Sequence, residues 1–311
     1  AIRAAYRRHR PDLVHHVAMK PTLYGSLAAW AEKVPHVVNA MAGMGFLFIS
    51  QGLKARLLRP LITAAMRRAN RGPGTRVIVQ NDDDRALFRD TLGVVDARIA
   101  VIRGSGVDTQ ALAPAPEPPV DPGHPPIALC LSRMLWDKGI GELAEAARLL
   151  KARGVALTIR LVGPSDANPA AIPQATLDGW AAEGLVEVAG KTPDIAGEYA
   201  RSHIAVLPSY REGLPKSLLE AAACGRPMVA TDVPGCREIC REGETGHLVP
   251  ARSVEPLADA LADLAGDSGK RRRMGGAARH LAETAFSVER IVAETLSLYA
   301  YMFESQRKTP S

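Results

Sequence analysis

The sequence predicts an α/β protein made of two doubly wound parallel-sheet domains, and three observations carry that expectation. Apolar residues form 47% of the 311-residue chain but aromatics only 5%, so Leu, Ala and Val must supply a core of helices packed on buried strands. Short runs that are apolar throughout alternate with helical patterns along the chain, as a parallel sheet covered on both faces requires. Ala113–Pro126 holds seven prolines and can be neither helix nor central strand, so it reads as a linker between two domains of ordinary size.

Before the linker, residues 1–112 form the first expected domain, with strands at Leu13–Val17, Val37–Ala40, Val77–Gln80 and Ile99–Ile102. The second, 127–285, is more regular. Its strands are expected at Ile127–Leu131, Leu157–Val162, Val186–Val188, Ile204–Leu207 and Met228–Thr231. Between them lie helices at Gly141–Lys151, near Trp180, near Tyr199 and at Lys216–Cys224. In such sheets ligands sit beyond the carboxyl ends of the strands, so the loops that follow strands are where chemistry is sought.

Composition narrows the function. No run approaches the ~18 apolar residues of a membrane span, and the arginine-rich opening Ala1–His16 lacks the apolar stretch of a secretory signal. The chain opens without Met and is expected to enter partway into a domain. Four irregularly spaced cysteines, Cys130, Cys224, Cys236 and Cys240, make neither a disulfide framework nor a zinc site and read as reduced packing residues of a cytosolic protein. A net charge of +6 suits an anionic partner, which charge alone does not choose among.

The loop after Ile204–Leu207 is the most informative. It runs Pro208 to Pro215 through Glu212 and Gly213, and a helix follows. Gly213 lets a ligand approach the backbone, and Pro215 suits a first helical residue. A helix N-terminus favours an anion. Glu212 either occupies that place as a cap or leaves it to a ligand, and Glu220 either pairs with Lys216 one turn earlier or serves another role. A Lys four residues before a Glu is the weaker orientation, worth at most ~0.5 kcal/mol.

Glu212-x7-Glu220 within PSYREGLPKSLLEAAACGRPMVATDVPG resembles the signature of the retaining glycosyltransferases of family 4, which have the GT-B fold. The likeness continues through Cys236–Ile239, Glu244–Pro250, LSRMLWDKG (Leu131–Gly139) and IRGSGVDTQALAP (Ile102–Pro114). It implies two Rossmann-like domains facing a cleft, the first of them incomplete because a complete member opens with a strand and a Gly-rich loop. It also implies that 286–311, with a helix over Val288–Glu304, crosses back to the first domain; packing on the second is the alternative.

The resemblance assigns roles. A nucleotide-diphosphate sugar, with a UDP-sugar favoured, lies on the second domain with its diphosphate between Arg133, Lys138 and the backbone of Gly213, Leu214, Pro215 and Lys216. Glu220 accepts from the ribose hydroxyls. Glu212, with Arg133 and Lys138, is catalytic through positioning and electrostatics: it faces the charge building at the anomeric carbon and is not a general base. Retention of configuration needs no metal or other cofactor. On the acceptor side PDLVHHVAMKPTLYGSLAA (Pro11–Ala29) brings His15 and Lys20 forward, and NAMAGMGF (Asn39–Phe46) lacks the cleft histidine of many members. The implied activity is hexosyl or N-acetylhexosaminyl transfer to a glycan or polyprenyl-diphosphate-linked acceptor in surface polysaccharide, lipopolysaccharide or capsule assembly. It would take place in the cytoplasm at the inner face of the membrane. A non-catalytic nucleotide-sugar-binding remnant and a nucleotide-sugar 2-epimerase are the rival readings.

Three polar stretches carry two readings each. Asn81–Asp84 resembles a DxD cation site, but acidic residues opening a helix are usually caps. Gly52–Arg71 mixes leucines with Lys54, Arg56, Arg59, Arg67, Arg68 and Arg71. It either touches an anionic membrane or is a solvated basic helix whose amphipathic face Pro60 interrupts. Lys270–Arg273 reads as a solvated helix start. Neither basic stretch interleaves aromatics as a nucleic-acid groove would, and no nucleic-acid partner is expected.

Overall fold

The computed structural model describes residues 1–41, 53–166 and 168–307. The chain folds as two compact units, Ala1–Ser105 with Glu289–Ser311 and Gly106–Val288.

The first unit has four parallel strands in the order β1 (Leu13–Val17), β2 (His36–Met41), β3 (Thr75–Val79) and β4 (Ile99–Val101). Side chains alternate across a strand, so each strand serves two cores. Met41, Val77 and Val79 meet Met66, Phe88 and Leu92, whereas Val38, Ile78 and Ile102 meet Ile291 and Met302 of the helix Val288–Arg307. The terminal helix thus completes the core of the first unit. The helix Leu53–Ala69 runs on through Pro60, which deletes one backbone bond without ending the helix. Residues 42–46 of NAMAGMGF, and Gly52, lie outside the described residues.

In the second unit six parallel strands take the order β10-β9-β8-β5-β6-β7. They are β5 (Ile127–Leu131), β6 (Thr158–Val162), β7 (Glu187–Gly190), β8 (Ile204–Leu207), β9 (Met228–Thr231) and β10 (Gly246–Val249). Ala128, Cys130, Ile204 and Val206 pack beneath the helices Ile140–Ala152 and Val254–Gly266. Leu129, Ala205 and Leu207 point the other way, to the helix Lys216–Ala223. This is the doubly wound sheet that strict alternation predicts. From β5 the chain winds outward to β6 and β7, then returns to β8 and winds the opposite way. Between β5 and β8, therefore, adjacent connections diverge and leave a crevice at the carboxyl ends of the two strands.

The proline-rich stretch 113–126 is not a free linker, because it lies wholly inside the second unit. Proline removes donors but leaves carbonyls, and buried side chains take them up. Arg226 donates to Pro116 and to Tyr199. His203 contacts the Pro118 carbonyl at 3.1 Å, and just ahead of the stretch the half-buried Arg279 reaches Thr109 and Leu112. Arg271 grips Glu117 through two bonds of 3.0 and 3.1 Å. Its remaining donors bind the Leu264 and Ala265 carbonyls. Arg271 is therefore buried, with a side chain only 3% exposed, which corrects the solvated reading of Lys270–Arg273 at that position. Removing one partner of a buried pair strands the other. Arg271→Ala should cost about 3–5 kcal/mol in urea unfolding, against less than about 0.5 kcal/mol for the exposed Arg272→Ala.

Candidate nucleotide-sugar site at the sheet switch point

The loops after β5 and β8 meet at the crevice. After β5, residues 132–139 end in a 3-10 turn, Trp136–Lys138, which is bonded to a second loop through Trp136 N–H to Ala170 and Met134 N–H to Pro164. Gly139 then takes φ 69°, and an added Cβ would stand 2.0 Å from the Pro208 carbonyl oxygen. Only glycine lets this loop lie against the one after β8. The Tyr210 amide bonds Asp137 at 2.9 Å. The Tyr210 hydroxyl donates to Glu142 at 2.6 Å, and Arg252 stacks 4.5 Å from its ring centre. Burial, then the Glu142 carboxylate, pushes that phenol up to about 12.

This double seam sets Lys138 against Glu212. The ammonium donates to the carboxylate at 2.5 Å, with side chains 18% and 13% exposed. Glu212 and Gly213 are held from behind by Gly235, at φ 82°, whose added Cβ would meet the Gly213 carbonyl oxygen at 2.2 Å. The Thr231 hydroxyl donates to the Ser209 carbonyl nearby. Glu212 is thus not a helix cap: the helix Lys216–Ala223 carries no side-chain cap, and a helix N-terminus of this kind favours an anion. Pro215 is the N-cap residue, with ψ 118°, one position before the expected first helical place.

The other expected donor contacts lie on the loop after β5 and on the helix that follows the loop after β8. Arg133 follows β5 and donates to Asp166 at 2.8 Å from a side chain 55% exposed, a partner 33 residues away that no local pattern marks. Glu220 lies one turn into the helix at 7% exposure. Lys216 is 3.5 Å away but is itself 74% exposed, so the pair is weak and burial dominates, raising the Glu220 carboxyl above its usual range. Burial also pushes the Cys130 thiol up to about 11 and raises that of Cys236, so both pack as thiols. A hollow of about 440 Å³ opens beside Met134, Gly163, Gln174 and Lys191, beyond β5, β6 and β7.

On the first unit, His15 Nδ1 meets the Tyr299 hydroxyl at 2.6 Å, while its Nε2 is buried without a hydrogen-bond partner. Burial, then the neighbouring His16, lowers its pKa. His16 is structural: it bridges Tyr6 and Asn39 at 2.8 Å each. Lys20 is exposed in the first turn of the helix Met19–Ala31, which begins after Ala18 in a left-handed conformation, φ 75°. Asn81 caps the helix Asp82–Ala86 by accepting from the Asp84 amide at 2.8 Å, so of the two readings of Asn81–Asp84 the structure shows the cap.

A raised carboxyl pKa favours the protonated fold, so its contribution is complete below the ordinary carboxylate range and is lost as pH rises through the raised value. Glu220→Gln should therefore raise Tm at pH 7, with the gain shrinking as pH falls into that range, as thermal unfolding across pH would record.

Comparison with known proteins places this geometry. Residues 125–267 match the model for glycosyl transferases group 1, and residues 1–105 match the glycosyl transferase 4-like domain. The chain is 30% identical over 299 residues to the N,N'-diacetylbacillosaminyl-diphospho-undecaprenol alpha-1,3-N-acetylgalactosaminyltransferase of Campylobacter jejuni, covering 93% of this chain and 76% of that protein. The fold matches sucrose-phosphate synthase from Thermosynechococcus elongatus at TM-score 0.81 and 22% identity, over 98% of this chain and 77% of the other. It also matches Anabaena HepE in complex with UDP at TM-score 0.77 and 20% identity, over 95% and 81%. The chain belongs to the family 4 glycosyltransferases and has the GT-B fold.

Proposed function

We propose that the chain transfers a sugar, hexosyl or N-acetylhexosaminyl, from a UDP-sugar to a hydroxyl of a polyprenyl-diphosphate-linked glycan, with retention of configuration. The observation that carries this reading is the Lys138–Glu212 pair at the switch point, three residues ahead of an uncapped helix N-terminus. A diphosphate wants a guanidinium fork, a point-charge ammonium and helix amides together. Arg133, Lys138 and the amides at 216 and 217 supply these from two adjoining loops.

As the bond from the anomeric carbon to the donor phosphate lengthens, negative charge grows on the diphosphate and positive charge on the sugar ring. Lys138 serves the first and Glu212 the second, so one ion pair separates to meet both charges. Glu220 takes the ribose hydroxyls on its carboxylate oxygens. Its burial is then compensated only when donors arrive. The base fits the hollow beside Gly163 and Lys191. The Campylobacter relative, a transferase named for a diphospho-undecaprenol-linked sugar, favours a lipid-linked acceptor, and HepE, solved with UDP, favours the uridine donor. His15, neutral through burial, and Lys20 are assigned to the acceptor side. No metal is required by this scheme, since lysine, arginine and the helix dipole carry the counter-charge.

Calorimetric titration with UDP, GDP and ADP tests the donor site. UDP should bind best, and Arg133→Ala and Glu220→Ala should each weaken it roughly tenfold or more, as losing a hydrogen bond to a charged group does. Binding that neither substitution alters would overturn the assignment, and the configuration of the product on a polyprenyl-diphosphate sugar would separate retention from inversion and transfer from epimerisation.

A further inference from the structure

A third loop, the one after β6, lies against the loop after β5. The Met134 amide donates to the Pro164 carbonyl at 3.1 Å, the Trp136 amide to Ala170 at 3.0 Å, and the Ile172 amide returns to Met134 at 3.0 Å. An added Cβ on Gly163 would stand 1.8 Å from the Ser132 carbonyl oxygen, so the two backbones touch just ahead of Arg133.

Asp166 is set in this loop by its own backbone. Its Oδ1 accepts from the Asn168 amide at 2.9 Å, and the Asn168 side chain accepts from the Ala170 amide at 2.9 Å, the local bonding that suits Asp and Asn to turns. Its Oδ2 accepts from Nη1 of Arg133 at 2.8 Å. The acid is 23% exposed and the arginine 55%, so the acid is the braced member of the pair and the arginine the one with freedom to lose.

The form of this pair differs from the structural ones. Arg85 with Asp96, Arg160 with Glu198 and Arg271 with Glu117 each donate from Nε and Nη2 together, which occupies the guanidinium fork. Arg133 gives only Nη1 to Asp166, and among the described residues nothing takes its Nε–Nη2 edge. That edge offers two parallel donors to two phosphate oxygens. Neither stability nor charge accounts for an acid here: a pair this exposed contributes little to folding, and a carboxylate repels a diphosphate. Orientation does account for it, since an arginine held in advance loses less freedom when a ligand arrives.

We propose that Asp166 is a positioning residue of the donor site, holding Arg133 by Nη1 so that its Nε–Nη2 edge meets the donor diphosphate. The inference rests on the donor reading above and adds to it a residue that does not itself touch the ligand.

Calorimetric titration of Asp166→Ala, Arg133→Ala and the double variant with UDP and with uridine tests it. Asp166→Ala should weaken UDP about fivefold, with uridine affinity and Tm unchanged, because only the phosphates meet Arg133. Once Arg133 is replaced by Ala, Asp166→Ala should weaken UDP no further. Equal or tighter UDP binding by Asp166→Ala, an equal loss for uridine, or losses that add in the double variant would each overturn the proposal. A loss at Arg133 with none at Asp166 overturns this inference alone, whereas parent-like UDP binding by Arg133→Ala overturns the donor reading and this inference with it.

Discussion

Everything at the candidate site depends on the place where the second sheet reverses its winding. Helical connections leave β5 toward β6 and β8 toward β9 in opposite directions, so no helix covers the carboxyl ends of those two strands. What fills the space is polar: an ammonium from one loop and a carboxylate from the other, joined at 2.5 Å. Neither loop could come so near without glycine, since a Cβ on Gly139 would strike the Pro208 carbonyl and one on Gly235 the Gly213 carbonyl. Backbone contact here is the precondition for charge pairing.

The same crevice has a stability cost. Glu220 is buried beside a long, solvent-facing lysine, and the helix that carries it lacks a side-chain cap. A chain selected for stability alone would have an apolar residue at 220 and a Ser or Asp before 216. Both departures make sense as places kept for a ligand's hydroxyls and phosphates. Elsewhere in the unit the reverse holds. Arg226 and His203 reach the carbonyls of Pro116 and Pro118 and Arg271 holds Glu117, so a largely exposed segment without secondary structure is tied to the second unit.

Much of this was legible in the sequence, for physical reasons. β1, β5, β8 and β9 occupy the expected residues because continuous apolar runs bounded by turns leave little freedom. The donor loops could be named because they follow those strands. What stayed hidden was what depends on distant partners. Lys138 and Glu212 are 74 residues apart, and the sequence placed each in a strand-end loop without pairing them. Arg271 looked solvated among four basic residues because its carboxylate lies 154 positions earlier. β10 went unread because Gly246–Val249 is short and half polar.

The central claim is that the paired loops at the switch point form the donor diphosphate site. Hydrogen exchange at the amides of 133–139 and 213–219, with and without UDP, tests it most directly. The account predicts slowing at both loops together, with the amides at 216 and 217 among the most protected. Protection elsewhere in the second unit, with these loops unchanged, would contradict it.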